Sequence, residues 1–153
     1  MTDDLRALYQ DVILDHGRHP RNCRHPQTAN RQAEGENPLC GDRLTVFLTV
    51  GEDGMITDAA FEGRGCAISV ASSSLMTEVV RGKSRTQALA LFDNFRALAT
   101  GGEPVAAPDL AEDLERLEVL SGVRDYPVRI KCATLPWHAL AAALANQPLA
   151  TTE

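Results

Sequence analysis

Leu5, Leu8, Tyr9, Val12 and Ile13 recur at helical spacing among charged residues and predict an amphipathic helix over residues 4 to 16. Gly17 suits a C-cap, and Pro20 forbids continuation. The pattern then dissolves. Arg18 to Asn37 is polar and irregular, punctuated by Pro20 and Pro26, and runs into a Pro38-Leu39-Cys40 turn. Leu44 to Val50 is β-branched and aromatic, as a strand should be. Glu52-Asp53-Gly54 makes a turn, and Met55 to Glu62 returns antiparallel. Cys40 therefore precedes one hairpin strand and Cys66 follows the other, so pairing brings both thiols to the same end.

Beyond Cys66 the period becomes helical. Ile68, Ala71, Leu75, Met76 and Val79 mark one face up to about Gly82. A second stretch, Thr86 to Ala99, turns Ala88, Leu91, Phe92, Phe95 and Leu98 inward until Gly101-Gly102-Glu103-Pro104 ends it. Asp109 is placed to cap a third helix with Leu110, Leu114, Leu117 and Leu120 as its apolar set. Tyr126-Pro127 breaks that helix, and Cys132 opens a last one carrying Trp137, Leu140, Ala141 and Leu144. The sum is an α+β fold: a small antiparallel sheet covered by helices on one side, with a metal site at one end. One domain over residues 1–153 is expected, with 1–3 and 147–153 frayed.

Charge and composition narrow the function. A net charge of -6 offers no basic face, so no nucleic-acid partner is expected. No apolar run approaches the roughly 20 residues that span a bilayer, so no membrane partner is expected either. The acidic Met1-Thr2-Asp3-Asp4 start lacks the basic and apolar segments of a secretory signal. A cytoplasmic location is expected, where cysteines serve as metal or redox ligands rather than disulfides.

Three of the four cysteines sit at turn-to-element boundaries: Cys40 in Asn37-Pro38-Leu39-Cys40-Gly41-Asp42, Cys66 in Gly63-Arg64-Gly65-Cys66-Ala67, and Cys132 in Arg129-Ile130-Lys131-Cys132-Ala133-Thr134. With the carboxylate of Asp42 they make a sulfur/oxygen set that suits zinc, or iron in a cluster. Helix starts at Cys66 and Cys132, with Arg64, Arg129 and Lys131 nearby in sequence, would favour the thiolate form. Gly41 frees the Cys40–Asp42 turn to aim both side chains inward. Cys23 lacks ligand partners in its surroundings and reads as a buried or surface thiol. His138 falls on a different helical face from Cys132 and reads as a structural or interface residue rather than a ligand. His16, His19 and His25 read as solvated loop residues. The Ser72-Ser73-Ser74 run reads as packing or back-bonding, with no adjacent base to make a nucleophile.

Four motifs in order resemble the IscU-like family of iron–sulfur cluster assembly proteins, most closely its SufU branch. They are Asp15-His16 with Pro20-Arg21-Asn22, the Asn37 to Asp42 segment, Gly65-Cys66-Ala67-Ile68-Ser69, and Arg129 to Cys132 continued by Ala133-Thr134-Leu135 and Trp137-His138. The resemblance implies the same fold and a zinc site formed by Cys40, Asp42, Cys66 and Cys132. It implies a zinc-dependent sulfur acceptor that takes persulfide sulfur on Cys40 from a SufS-type, pyridoxal-phosphate-dependent cysteine desulfurase. Downstream scaffold proteins of the SUF system would receive that sulfur. Arg129 matches a family arginine near the site and is given an assisting role. Lys131 stands where scaffold members carry a histidine, and the Gly101 to Tyr126 region matches an insertion typical of the SufU branch. The alternative is a scaffold that builds a [2Fe-2S] cluster on the same cysteines.

Overall fold

The computed structural model describes residues 3–38, 41–104 and 107–151, with residues 3–8 and 151 described by backbone alone. The elements run α1 (Asp3–Arg18), β1 (Arg31–Asn37), β2 (Asp42–Val50), β3 (Ile56–Arg64), α2 (Ala67–Val80) and α3 (Arg85–Thr100). Then come a 3-10 turn (Pro108–Leu110), α4 (Ala111–Leu117), a second 3-10 segment (Glu118–Asp125), α5 (Pro127–Leu144) and β4 (Leu149–Thr151). Among the described residues no helix is long and apolar enough to cross a membrane.

The sheet order is β3-β2-β1-β4. The three longer strands are antiparallel, with Asn37 opposite Asp42 and Arg43 opposite Arg64. Alternation along β2 turns Asp42, Leu44, Val46 and Leu48 inward. Helices α2 and α5 cover that face, and Leu75, Met76, Val79, Trp137 and Leu140 join Leu44, Val46 and Leu48 in one core. The contact of α5 with β1 is close. A Cβ added to Gly35 would stand 3.2 Å from both Ala139 Cβ and Leu135 Cδ1. Helix α3 is held by a capping box between Ser84 and Gln87, a feature worth about 1 kcal/mol.

Several expectations need correcting. The polar stretch before Asn37 contains β1, and the C-terminal end contains β4, which pairs parallel to β1 and makes the sheet mixed. The last helix opens at Pro127 in its first turn, the position where a missing N–H does no harm, so Cys132 lies inside α5 rather than at its start. The third helix is split into α4 flanked by 3-10 segments, and the carboxylate of Asp109 accepts from Gln87 Nε2 at 3.2 Å instead of capping it. His16 belongs to α1 and is buried against α2, its Nδ1 2.7 Å from Ser74 Oγ. His25 is exposed, as expected of a loop residue, but its ring stacks on Phe47 at 4.0 Å and covers the outer face of β2. The segment carrying Cys23 lies along the free edge of β3: Phe61 N–H donates to Asn22 O, and Arg24 N–H to Phe61 O, both at 3.0 Å.

Candidate metal centre

Three elements deliver side chains to one end of the sheet. Asp42 is the first residue of β2 and points inward by the same alternation that buries Leu44. Cys66 is the N-cap of α2, reached after β3 ends at Arg64. Cys132 sits in the second turn of α5, on the side that packs against α2. One oxygen of Asp42 and the sulfurs of Cys66 and Cys132 all lie within 4.8 Å of one another. Asp42 and Cys132 are buried and Cys66 is exposed, so the group has a closed floor and an open side. Cys40 lies outside the described residues. The flanking Gly41 takes φ +75°, a left-handed conformation that favours glycine, and its N–H donates to Asn37 O at 2.9 Å.

The carboxylate of Asp42 is divided in its duties. Oδ1 accepts the Cys66 N–H at 3.1 Å, one of the unpaired donors at the start of α2. Oδ2 is buried and has no hydrogen-bond partner among the described residues. A buried acceptor left that way is unfavourable by about 1–3 kcal/mol, and a cation shared with two thiolates would relieve it. Gly65 makes the fit possible. A Cβ there would lie 2.1 Å from Ser69 Oγ and 3.2 Å from Asp42 Cγ. The residues present therefore fit a thiophilic metal.

The remaining expected site residues are distributed as follows. Arg129 is exposed at the start of α5, three residues before Cys132 and so on the same helical side, with its guanidinium 5.2 Å from the Tyr126 ring centre. The positive end of a helix acts at Cys66 only, because Cys132 is past the first turn of α5. His138 packs edge-on to Phe92 at 5.0 Å, and burial together with Arg96 lowers its pKa. Of the serine run, Ser73 back-bonds to Ser69 O at 2.7 Å, while Ser72 and Ser74 bond to other elements. Ser69 entered the sequence reading only as the last residue of the Gly65–Ser69 motif, with no role given; its buried hydroxyl donates to Cys66 O at 3.1 Å and lies 3.9 Å from Cys66 Sγ. Its place three residues after an N-cap was the available signal.

A mixed sheet with a thiol and carboxylate cluster at one end defines a small α+β protein with a candidate thiolate metal centre. The model of the NifU-like N terminal domain family matches residues 8–133. The iron–sulfur cluster assembly scaffold protein IscU of Streptococcus pyogenes serotype M1 is 44% identical over 141 residues, 92% of this chain and 84% of that protein. The zinc-dependent sulfurtransferase SufU of Bacillus subtilis is 40% identical over 144 residues, 94% of each chain. The crystal structure of FiSufU from Fervidobacterium islandicum AW-1, described as a scaffold protein for the SUF system, superposes with a TM-score of 0.80. It is 32% identical, with 91% of this chain and 98% of that one covered. The chain belongs to the NifU-like N-terminal domain family, the IscU/SufU-type proteins of iron–sulfur cluster assembly.

Proposed function

We propose that this chain is a zinc-dependent sulfur acceptor. It takes sulfane sulfur onto Cys40 from a SufS-type cysteine desulfurase and passes it to downstream SUF scaffold proteins in a reducing cytoplasm. Cys40, Asp42, Cys66 and Cys132 hold the metal. The observation that carries this reading is the convergence of Asp42, Cys66 and Cys132 within 4.8 Å, beside the strand ends that the Cys40 segment joins. The unpaired Asp42 Oδ2 and the 40% identity to a protein named as a zinc-dependent sulfurtransferase support it.

Zinc, when bound, keeps its coordinating thiols deprotonated at neutral pH. The chain's own residues supply the rest. The Cys40 thiolate attacks the terminal sulfur of the desulfurase persulfide. The S–S bond to the desulfurase cysteine breaks, and that cysteine leaves as a thiolate, so sulfane sulfur moves without net oxidation. Gly41 gives the Cys40 segment its reversal, and the Cys66 N–H orients Asp42. Arg129, exposed one turn before Cys132, steers the anionic persulfide.

The second reading, a scaffold for a [2Fe-2S] cluster on the same cysteines, is favoured by the scaffold name of the 44% identical relative. Metal and acid-labile sulfide measured on protein purified without oxygen separate the two. About one zinc per chain without sulfide is the expected result, whereas iron with matching sulfide makes the scaffold reading primary. In parallel, Cys40→Ala should fail to raise desulfurase turnover; turnover like that with the wild type would remove Cys40 from the acceptor role.

A further inference from the structure

We infer that Ser72 is the positioning residue for Cys132, and through it for the spacing of the metal centre; the inference rests on the ligand set proposed above. Ser72 is fully buried on α2, six residues beyond Cys66. Its hydroxyl donates to Ala133 O at 2.5 Å and accepts the indole N–H of Trp137 at 3.2 Å. Both partners belong to α5, so the hydroxyl spends its hydrogen and a lone pair on the helix that carries Cys132.

The place of those partners gives the clasp its purpose. Pro136 lies inside α5 and supplies no N–H to the position four residues back, which is Cys132. That missing donor interrupts the run of N–H groups in the very turn that carries the thiol. Ala133 follows Cys132 and Trp137 follows Pro136, so Ser72 ties together both sides of the interruption and fastens them to the helix whose N-cap is Cys66. Trp137 itself packs against Phe92 and Phe95 of α3, with ring centres at 6.1 and 5.1 Å. The spacing of the Cys66 and Cys132 sulfurs is thus set by a side chain whose hydrogen bonds go to Ala133 and Trp137.

Ser73→Ala is the matched control, because Ser73 is equally buried on the same helix but, among the described residues, its hydroxyl bonds to Ser69 O within it. Two measurements are made on Ser72→Ala, Trp137→Phe and Ser73→Ala: zinc affinity by chelator competition, and the alkylation rate of Cys132 in metal-free, reduced protein. In Ser72→Ala the affinity is expected to fall roughly 10-fold or more. Alkylation is expected to quicken roughly 5-fold, the change in local opening that one lost buried hydrogen bond brings. Trp137→Phe, which keeps the bond to Ala133, should move both in the same direction by less. It serves as the test if Ser72→Ala does not fold. Wild-type affinity and alkylation in Ser72→Ala, or equal effects in Ser73→Ala, overturn the inference. Unchanged zinc affinity in Cys66→Ser and Cys132→Ser would instead overturn the ligand set, and the alkylation rates then judge Ser72 alone.

Discussion

Gly65→Ala probes the seat of Asp42 directly. Gly65 is not among the glycines with left-handed φ, so the perturbation is one of volume rather than backbone strain. The new Cβ would meet Ser69 Oγ at 2.1 Å, Asp42 Cγ at 3.2 Å and Asp42 Oδ1 at 3.3 Å. The first distance cannot be tolerated. Either Ser69 swings away and its bond to Cys66 O is lost, about 1 kcal/mol, or the β3–α2 junction shifts, an overpacking penalty of about 1–3 kcal/mol. With the carboxylate also crowded, the expected loss is about 2–4 kcal/mol in the metal-free protein. Ser69→Ala alone should destabilise by about 1 kcal/mol. The double variant removes the worst contact, so it should be at least about 1 kcal/mol more stable than the sum of the two singles. Urea denaturation of reduced, chelator-treated protein, followed by far-ultraviolet circular dichroism, measures all four corners of the cycle. A Gly65→Ala protein within about 0.5 kcal/mol of the wild type, or strict additivity in the double variant, would refute the reasoning.

Three further outcomes are expected. Gly63→Ala should be worse than Gly65→Ala, because its φ of +133° is strained for alanine and the atoms met at 2.3 and 2.5 Å, Arg43 O and Leu44 Cα, are backbone; a milder loss in the same denaturation series would contradict this. His16 has its pKa lowered by burial, with Arg21 adding to the effect. Its folded value lies below its unfolded one, so stability is full above the unfolded pKa and falls as pH drops toward the folded value. The fall in stability between neutral pH and about pH 5 should be shallower in His16→Gln, and an identical slope would exclude His16. Asp42→Ala should release zinc more readily than Asp42→Asn, which keeps an acceptor for the Cys66 N–H; unchanged zinc affinity in both removes Asp42 from the ligands.

The hairpin was readable because its residues are large: Leu44 to Leu48 and the returning strand carry the bulk that marks a sheet facing a core. Strand β1 was not readable, although it alternates faithfully. Its inward positions are Ala33, Gly35 and Asn37, small or polar because α5 lies within contact of Gly35 and the site begins at Asn37. Its neighbour β4 is three residues long, too short to show a period. Pro127 was read as a stop because a proline ends one helix and begins another by the same missing N–H. At the site, the motifs named the segments, but the division of Asp42 between one hydrogen bond and one unpaired oxygen exists only once three elements meet. His16 misled for the same reason: burial by a distant helix leaves no mark on its local sequence.

The margins of the sheet have a bearing on recognition. Beyond β1 the row of backbone groups is taken by β4, and beyond β3 it is met at Phe61 by the Asn22–Arg24 segment. A visiting polypeptide adding itself as another strand would meet a three-residue strand at β4 and, at β3, an edge already engaged at Phe61. The corner where β2 begins and α2 starts lies at the end of the strands rather than along either margin. That is the corner where Cys66 is exposed. The candidate chemistry is therefore presented at a strand end and not along a strand edge.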